Sequence, residues 1–83
     1  MHKVSDAVRS THGQDGAVVL DLRQGQIFSF NLVGSRILAL LESGARESDV
    51  VDAVSRDFGI GRDIAGGDVH DFIEQLQNLH LVE

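Results

Sequence analysis

The chain has 83 residues, 42% of them apolar, with no cysteine and no proline, and 13 acidic against 7 basic residues give it a formal net charge of −6. That length fits one domain over residues 1–83, and such a domain buries only roughly 60 to 65% of its unfolded surface, too little to build a deep enzyme pocket. Without cysteine there is neither a disulfide framework nor a thiolate metal site, and the acidic balance works against binding a phosphate backbone.

The N-terminal segment MHKVSDAVRS lacks the apolar run of a signal peptide, and nothing in the chain approaches the ~20 apolar residues of a membrane span, so the expectation is a soluble cytoplasmic protein without membrane contact. Val4 to Ser10 alternates weakly and supplies a first strand. His12 to Gly16 (HGQDG) is a turn signal. Ala17 to Leu22 then reads as a second strand, with Val18, Leu20 and Leu22 on one face and Ala17, Val19 and Asp21 on the other. Arg23-Gln24-Gly25 turns the chain again, and Phe28, Phe30 and Leu32 alternate with Ile27, Ser29 and Asn31, the phenylalanine face being the core face. The three strands form an antiparallel meander.

The rest is helical. Asn31 is an N-cap candidate, since its side-chain oxygen can accept from a first-turn amide, and the apolar stripe Ile37, Leu38, Leu40 and Leu41 carries a helix over about Leu32 to Ser43. A second helix spans about Glu47 to Phe58, with Val50, Val51, Val54 and Phe58 at helical spacing and Gly59 beyond its end. A third spans about Ile64 to Leu79, capped by Asp63, with Gly66 and Gly67 weakening its first turns by roughly 1 kcal/mol each. Its apolar surface is wide: Val69, Ile73 and Leu76 make one stripe, while Asp68, Phe72, Gln75 and Leu79 make a second beside it. One stripe suffices to dock the helix, so the second is either the remainder of a small core or one wall of a groove.

No motif for catalysis or metal binding emerges. His2, His12, His70 and His80 lack metal-ligand spacing, Ser35, Ser43 and Ser48 have no evident base partner, and the glycines at 59, 61, 66 and 67 are not followed by the G-K-[ST] of a phosphate loop. Beyond Arg62 there is no lysine or arginine, whereas Asp63, Asp68, Asp71, Glu74 and Glu83 make the C-terminal segment anionic.

Taken in order, D-G-A-V-V-L-D at Asp15 to Asp21, F-N-x-x-G at Phe30 to Gly34, I-L-x-L-L at Ile37 to Leu41 and D-V-x-x-F-I-x-x-L-x-x-x-x-L at Asp68 to Leu81 resemble the PqqD family over nearly the whole chain. Two positions depart from it: His80 stands where the family commonly has glycine, and Leu32-Val33 replaces a more polar pair. The resemblance implies an α+β, winged helix-turn-helix-like fold, a three-stranded antiparallel sheet followed by a three-helix bundle, without catalytic group or cofactor. It implies a recognition element that binds the leader segment of a ribosomally synthesised precursor peptide. The element delivers that segment to a modifying enzyme or leader peptidase of the same pathway, lasso-peptide or related. Gln26, Ile27, Phe28, Ser29 and Phe30 would be the strand to which the leader adds, with Asp68, Phe72, Gln75 and Leu79 on the groove side of the last helix and Asp71 near its rim. The alternatives are a winged-helix DNA-binding protein, which the lack of a basic stripe disfavours, and a homodimer or larger homo-oligomer pairing through the same strand edge.

Overall fold

A computed structural model describes residues 2–83. Three strands, β1 (Val8–Gly13), β2 (Gly16–Asp21) and β3 (Gln26–Phe30), form an antiparallel sheet in the order β1-β2-β3, and α1 (Leu32–Glu42), α2 (Glu47–Phe58) and α3 (Arg62–Asn78) follow. This is the α+β, winged helix-turn-helix-like arrangement expected from the sequence. Ala17, Val19 and Asp21 of β2 are buried under the helices, while Val18 faces solvent. α1 packs on β2 and β3, and α2 packs against both α1 and α3. Val19, Ile37, Leu38, Val50, Val54, Ile73 and Leu76 make the centre of one core, each of the larger side chains contributing about 1.5–3 kcal/mol on burial.

β2 and the C-terminal ends of α1 and α3 lie one residue earlier than the sequence reading, and three further boundaries differ, each for a local reason. The first strand starts at Val8 rather than Val4, because Val4 forms an isolated bridge with Val82 and the chain turns at Asp6 and Ala7 before entering the sheet. Ser5 N–H donates to the Leu81 carbonyl and Glu83 N–H to that of Lys3, so this arm belongs to the C-terminus. The first turn is only Gln14-Asp15, since Gly13 and Gly16 are already paired. Gly16 has φ 145°, and a β-carbon there would strike the Phe30 carbonyl oxygen, so only glycine fits. Finally, α3 begins at Arg62 with Gly61 as N-cap, and Asp63 lies inside its first turn instead of capping it.

Asp21 closes the second hairpin. Its Oδ1 accepts from the backbone amides of Arg23 (3.0 Å) and Gln24 (3.3 Å), which folds Leu22 to Gly25 into the connecting turn. Its Oδ2 is buried and lacks a partner among the described residues.

The register fixes which backbone groups of the edge strands face outward. Leu22 N–H donates to Ala7 C=O, so Val8↔Asp21 is a non-hydrogen-bonded pair, and the alternation passes across β2 to make Ala17↔Phe30, Val19↔Phe28 and Asp21↔Gln26 the hydrogen-bonded pairs with β3. Phe28 and Phe30 therefore spend their backbone groups on β2. Ile27 and Ser29 turn theirs to the open edge.

Candidate functional site

The joint between β3 and α1 sets the site. Asn31, extended at φ −70° and ψ −179°, accepts from Gly34 N–H through its side chain at 2.9 Å, so the strand passes into the helix without a loop. Gly34 is buried under Phe72, and a β-carbon there would lie 2.8 Å from the Phe72 ring. The ring can settle on the joint only because position 34 has no side chain. Phe72 also meets Phe30 edge-to-face at a centroid distance of 5.2 Å, while Phe28 stacks beside Phe30 at 6.4 Å.

These contacts leave a groove of about 450 Å³ between the end of β3, the first turns of α1 and the middle of α3, lined by Ser29, Phe30, Asn31, Val33, Gly34, Ile37, Asp68, Phe72 and Gln75. Five residues expected from the sequence thus meet: Ser29, Phe30, Asp68, Phe72 and Gln75. Gln26, Ile27, Phe28, Asp71 and Leu79 do not line this cavity. Phe28 and Leu79 are half-buried and pack against the core, Asp71 is exposed on α3, and Gln26 and Ile27 lie exposed further back along β3. Asn31, Val33, Gly34 and Ile37 also line it, the first three within the F-N-x-x-G joint and Ile37 one turn further along α1. A second depression of about 400 Å³ lies at the β1–β2 turn and receives nothing from α3.

The groove has a direction. Arg23 Nη2, in the β2–β3 turn, donates to the His80 carbonyl at 3.3 Å, which sets the C-terminal end of α3 beside the start of β3. Phe72, earlier in α3, meets Phe30 and Gly34 at the other end of β3, so α3 runs antiparallel to β3 along the groove. Asp68 puts a carboxylate on the α3 wall, and Asp71 lies exposed on the same helix outside the cavity. The arginines of the helices are engaged: Arg36 and Arg56 with Asp57, Arg46 with Asp49 and Arg62 with Asp52. α3 does carry one basic residue, Arg62 in its first turn, but that ion pair ties it to α2.

Two polar clusters lie outside the groove. Ser35 does have a histidine partner, against expectation: His12 Nδ1 lies 2.7 Å from Ser35 Oγ, and His12 Nε2 lies 2.9 Å from Glu42 Oε1. Ser10 Oγ donates to the other Glu42 oxygen at 2.6 Å. Because a carboxylate only accepts, the Nε2 proton points to Glu42 and Nδ1 accepts from the serine hydroxyl. Ser35 is only 4% exposed, so this Ser–His–Glu row is closed to an incoming carbonyl and instead straps β1 to α1. In the second cluster, Glu47 stands between His2 (2.9 Å) and His70 (3.4 Å), and the hydrogen bond from His2 is the main cause that holds its carboxyl below the ordinary value of 4.5. Among the described residues no set of histidine and carboxylate side chains is arranged to hold a metal ion.

Comparison with known proteins agrees with this architecture. None of the curated proteins matches the chain. Among solved structures, TbiB1 in complex with the TbiA(beta) leader peptide is 42% identical, with a TM-score of 0.91 over 98% of this chain and 94% of that one. A lasso peptide synthetase B1 complexed with the leader peptide is 20% identical, with a TM-score of 0.87 over 99% of this chain and 96% of that one, a likeness of fold. The family model described as coenzyme PQQ synthesis protein D (PqqD) matches residues 16–82, and the chain belongs to that family.

Proposed function

We propose that this chain binds the leader segment of a ribosomally synthesised precursor peptide by adding it as a strand to β3, and delivers it to a modifying enzyme or leader peptidase of a lasso-peptide or related pathway in the cytoplasm. The observation that carries the reading is the open edge of β3, where the backbone groups of Ile27 and Ser29 point outward beside a groove floored by Gly34 and walled by Phe72. The relative TbiB1, 42% identical, has a structure with a leader peptide bound, and that supports the same class of ligand here.

Backbone pairing at Ile27 and Ser29 supplies affinity that tolerates sequence variation. The groove supplies selectivity through Phe30, Phe72 and Gln75. Asp68 and Asp71 attract a lysine or arginine of the leader, an interaction that is screened by salt because both carboxylates are exposed. DNA binding is disfavoured because the helix arginines are paired with aspartates.

The test is calorimetric titration of the chain with the synthetic leader of the precursor peptide encoded beside it, for the wild type, Ile27→Pro and the double charge reversal Asp68→Lys/Asp71→Lys. Micromolar or tighter binding is expected, weakened about 10- to 100-fold in the proline variant and weakened, with a flattened salt dependence, in the double variant. Unchanged affinity in Ile27→Pro would remove the strand-addition mode, and concentration-dependent self-pairing of the free protein would favour the homo-oligomer.

A further inference from the structure

We infer that the Ile27 side chain is specificity-determining: with Leu20 it starts an apolar row on the solvent face of the sheet, which a β-branched or aromatic residue of the added leader strand continues. The inference rests on the leader-binding reading above and deepens it, because the leader is then read on the face turned away from the groove as well as inside it.

The faces follow from the register. Ala17, Val19 and Asp21 of β2 are buried under the helices, so the alternate residues Val18 and Leu20 point to the solvent side. Residues paired directly across neighbouring strands share a face, which puts Ile27 beside Leu20 and Ser29 beside Val18 on that side. Beyond them Leu20 pairs with Arg9 and Val18 with Thr11. Arg9 turns its guanidinium to the carbonyls of Asp6 and Val8, at 2.8 and 2.9 Å, so its charge is held at the β1 edge.

Ile27 is 70% exposed, the most exposed large apolar side chain among the described residues. A single exposed isoleucine is ordinary, but its place is not. Sheet edges are commonly guarded by lysine or another charge, whereas Ile27 stands on the bare edge of β3 with Leu20 on one flank and no strand on the other. Its backbone groups face the same open side, so an added strand of either direction places one residue directly opposite it. That residue projects to the solvent face against Ile27, while its neighbours in sequence project to the helix side, as Phe28 and Phe30 do. A β-branched or aromatic side chain packs best there, and a charged or glycine residue gains nothing. Two residues along, the row of Ser29, Val18 and Thr11 is mixed, so the apolar requirement falls on one leader position.

The experiment titrates wild type, Ile27→Ser, Ile27→Val, Ile27→Pro and Leu22→Ser with an alanine scan of the synthetic leader of the precursor encoded beside this chain, and a thermal melt of each variant checks that it folds. Ile27→Ser keeps the backbone donor that Ile27→Pro removes, so the two separate the side chain from strand addition. Ile27→Ser is expected to bind about three- to fivefold more weakly and Ile27→Val close to wild type. Leu22→Ser alters another exposed apolar residue, off the β3 edge, and should leave affinity unchanged. One apolar leader position should lose about three- to fivefold on alanine substitution against wild type but almost nothing further against Ile27→Ser, as two groups in contact do. Unchanged affinity in Ile27→Ser while Ile27→Pro weakens binding, additive losses at every leader position, or an equal loss in Leu22→Ser would overturn the row and leave strand addition standing. Wild-type affinity in Ile27→Pro, or no binding by wild type, would overturn both. Self-association of the free protein that Ile27→Ser removes, with leader affinity unchanged, would assign the row to a second copy of this chain.

Discussion

β1 and β3 are both edge strands of one three-stranded sheet, and the protein treats them differently. On β1, Val8 turns its backbone outward, yet its N–H donates to Ser5 C=O and its carbonyl accepts from Arg9 Nη1 at 2.9 Å. Further along, the side chains of Ser10 and His12 are strapped to Glu42 and Ser35 of α1. β3 has none of this: among the described residues, the outward groups of Ile27 and Ser29 meet no partner, and both side chains are exposed. An open edge invites indiscriminate pairing, and natural sheets blunt such edges with charge and cover. That one edge is partly satisfied and strapped while the other is bare, beside an apolar groove, is the pattern of a sheet that accepts a strand on one side only.

The comparison can be broken most sharply by proline. Ile27→Pro removes an outward donor without touching the β2–β3 ladder, and should weaken leader binding by about 10- to 100-fold. Ser10→Pro, its counterpart on β1, should leave leader affinity within about twofold, and equal losses from both would end the distinction between the edges. Next in size is Gly34→Ala, which pushes Phe72 off the joint and should cost about 1–3 kcal/mol in denaturant unfolding, with the groove widened and leader affinity reduced. His12→Ala loosens the β1 strap. About 1 kcal/mol of stability, or about 4–8 °C in melting temperature, should be lost with leader affinity unchanged. The smallest effect is expected at Glu47, whose carboxyl is held below its ordinary value of 4.5 chiefly by His2 and, beyond a burial effect that opposes it, by His70. A carboxyl so lowered favours the folded state above that value and gives up the preference as pH falls through its folded value. Glu47→Gln should therefore be less stable than wild type in urea at pH 6, with the difference shrinking as pH falls below 4.5 and through the carboxyl's lower folded value.

Much of the fold was legible because it is written in local chemistry. α2 runs from Glu47 to Phe58 as expected, its valine stripe ended by Gly59 at φ 66°. Asn31 caps α1 as its type and place suggested, and the second stripe of α3 foretold Asp68, Phe72 and Gln75 in the groove. What escaped depended on distant partners. β1 was set too early because Val4 is claimed by Val82, and Asp63 does not cap because α3 starts ahead of it. Ser35 and His12 are 23 residues apart, and His2 and Glu47 are 45 apart, distances at which spacing carries no signal. Phe28 and Leu79, like Phe30 and Phe72, are partly buried and pack against the core, yet only the latter two line the cavity, since a period gives the face of an element and not what a neighbour covers along it. His80, at φ 61°, occupies the left-handed turn after α3 where glycine is the easier residue.

The pairing of Val4 with Val82, with Ser5 bound to Leu81 and Lys3 to Glu83, brings the two ends of the described chain side by side. They meet beside the β2–β3 turn, where Arg23 Nη2 reaches Ser5 Oγ and the His80 carbonyl, at the opposite end of β3 from Asn31 and the mouth of the groove. A unit with adjoining ends is a natural cassette: it tolerates being spliced into a loop of a larger enzyme, or having its order of elements circularly permuted, without re-routing the strand that would carry the ligand.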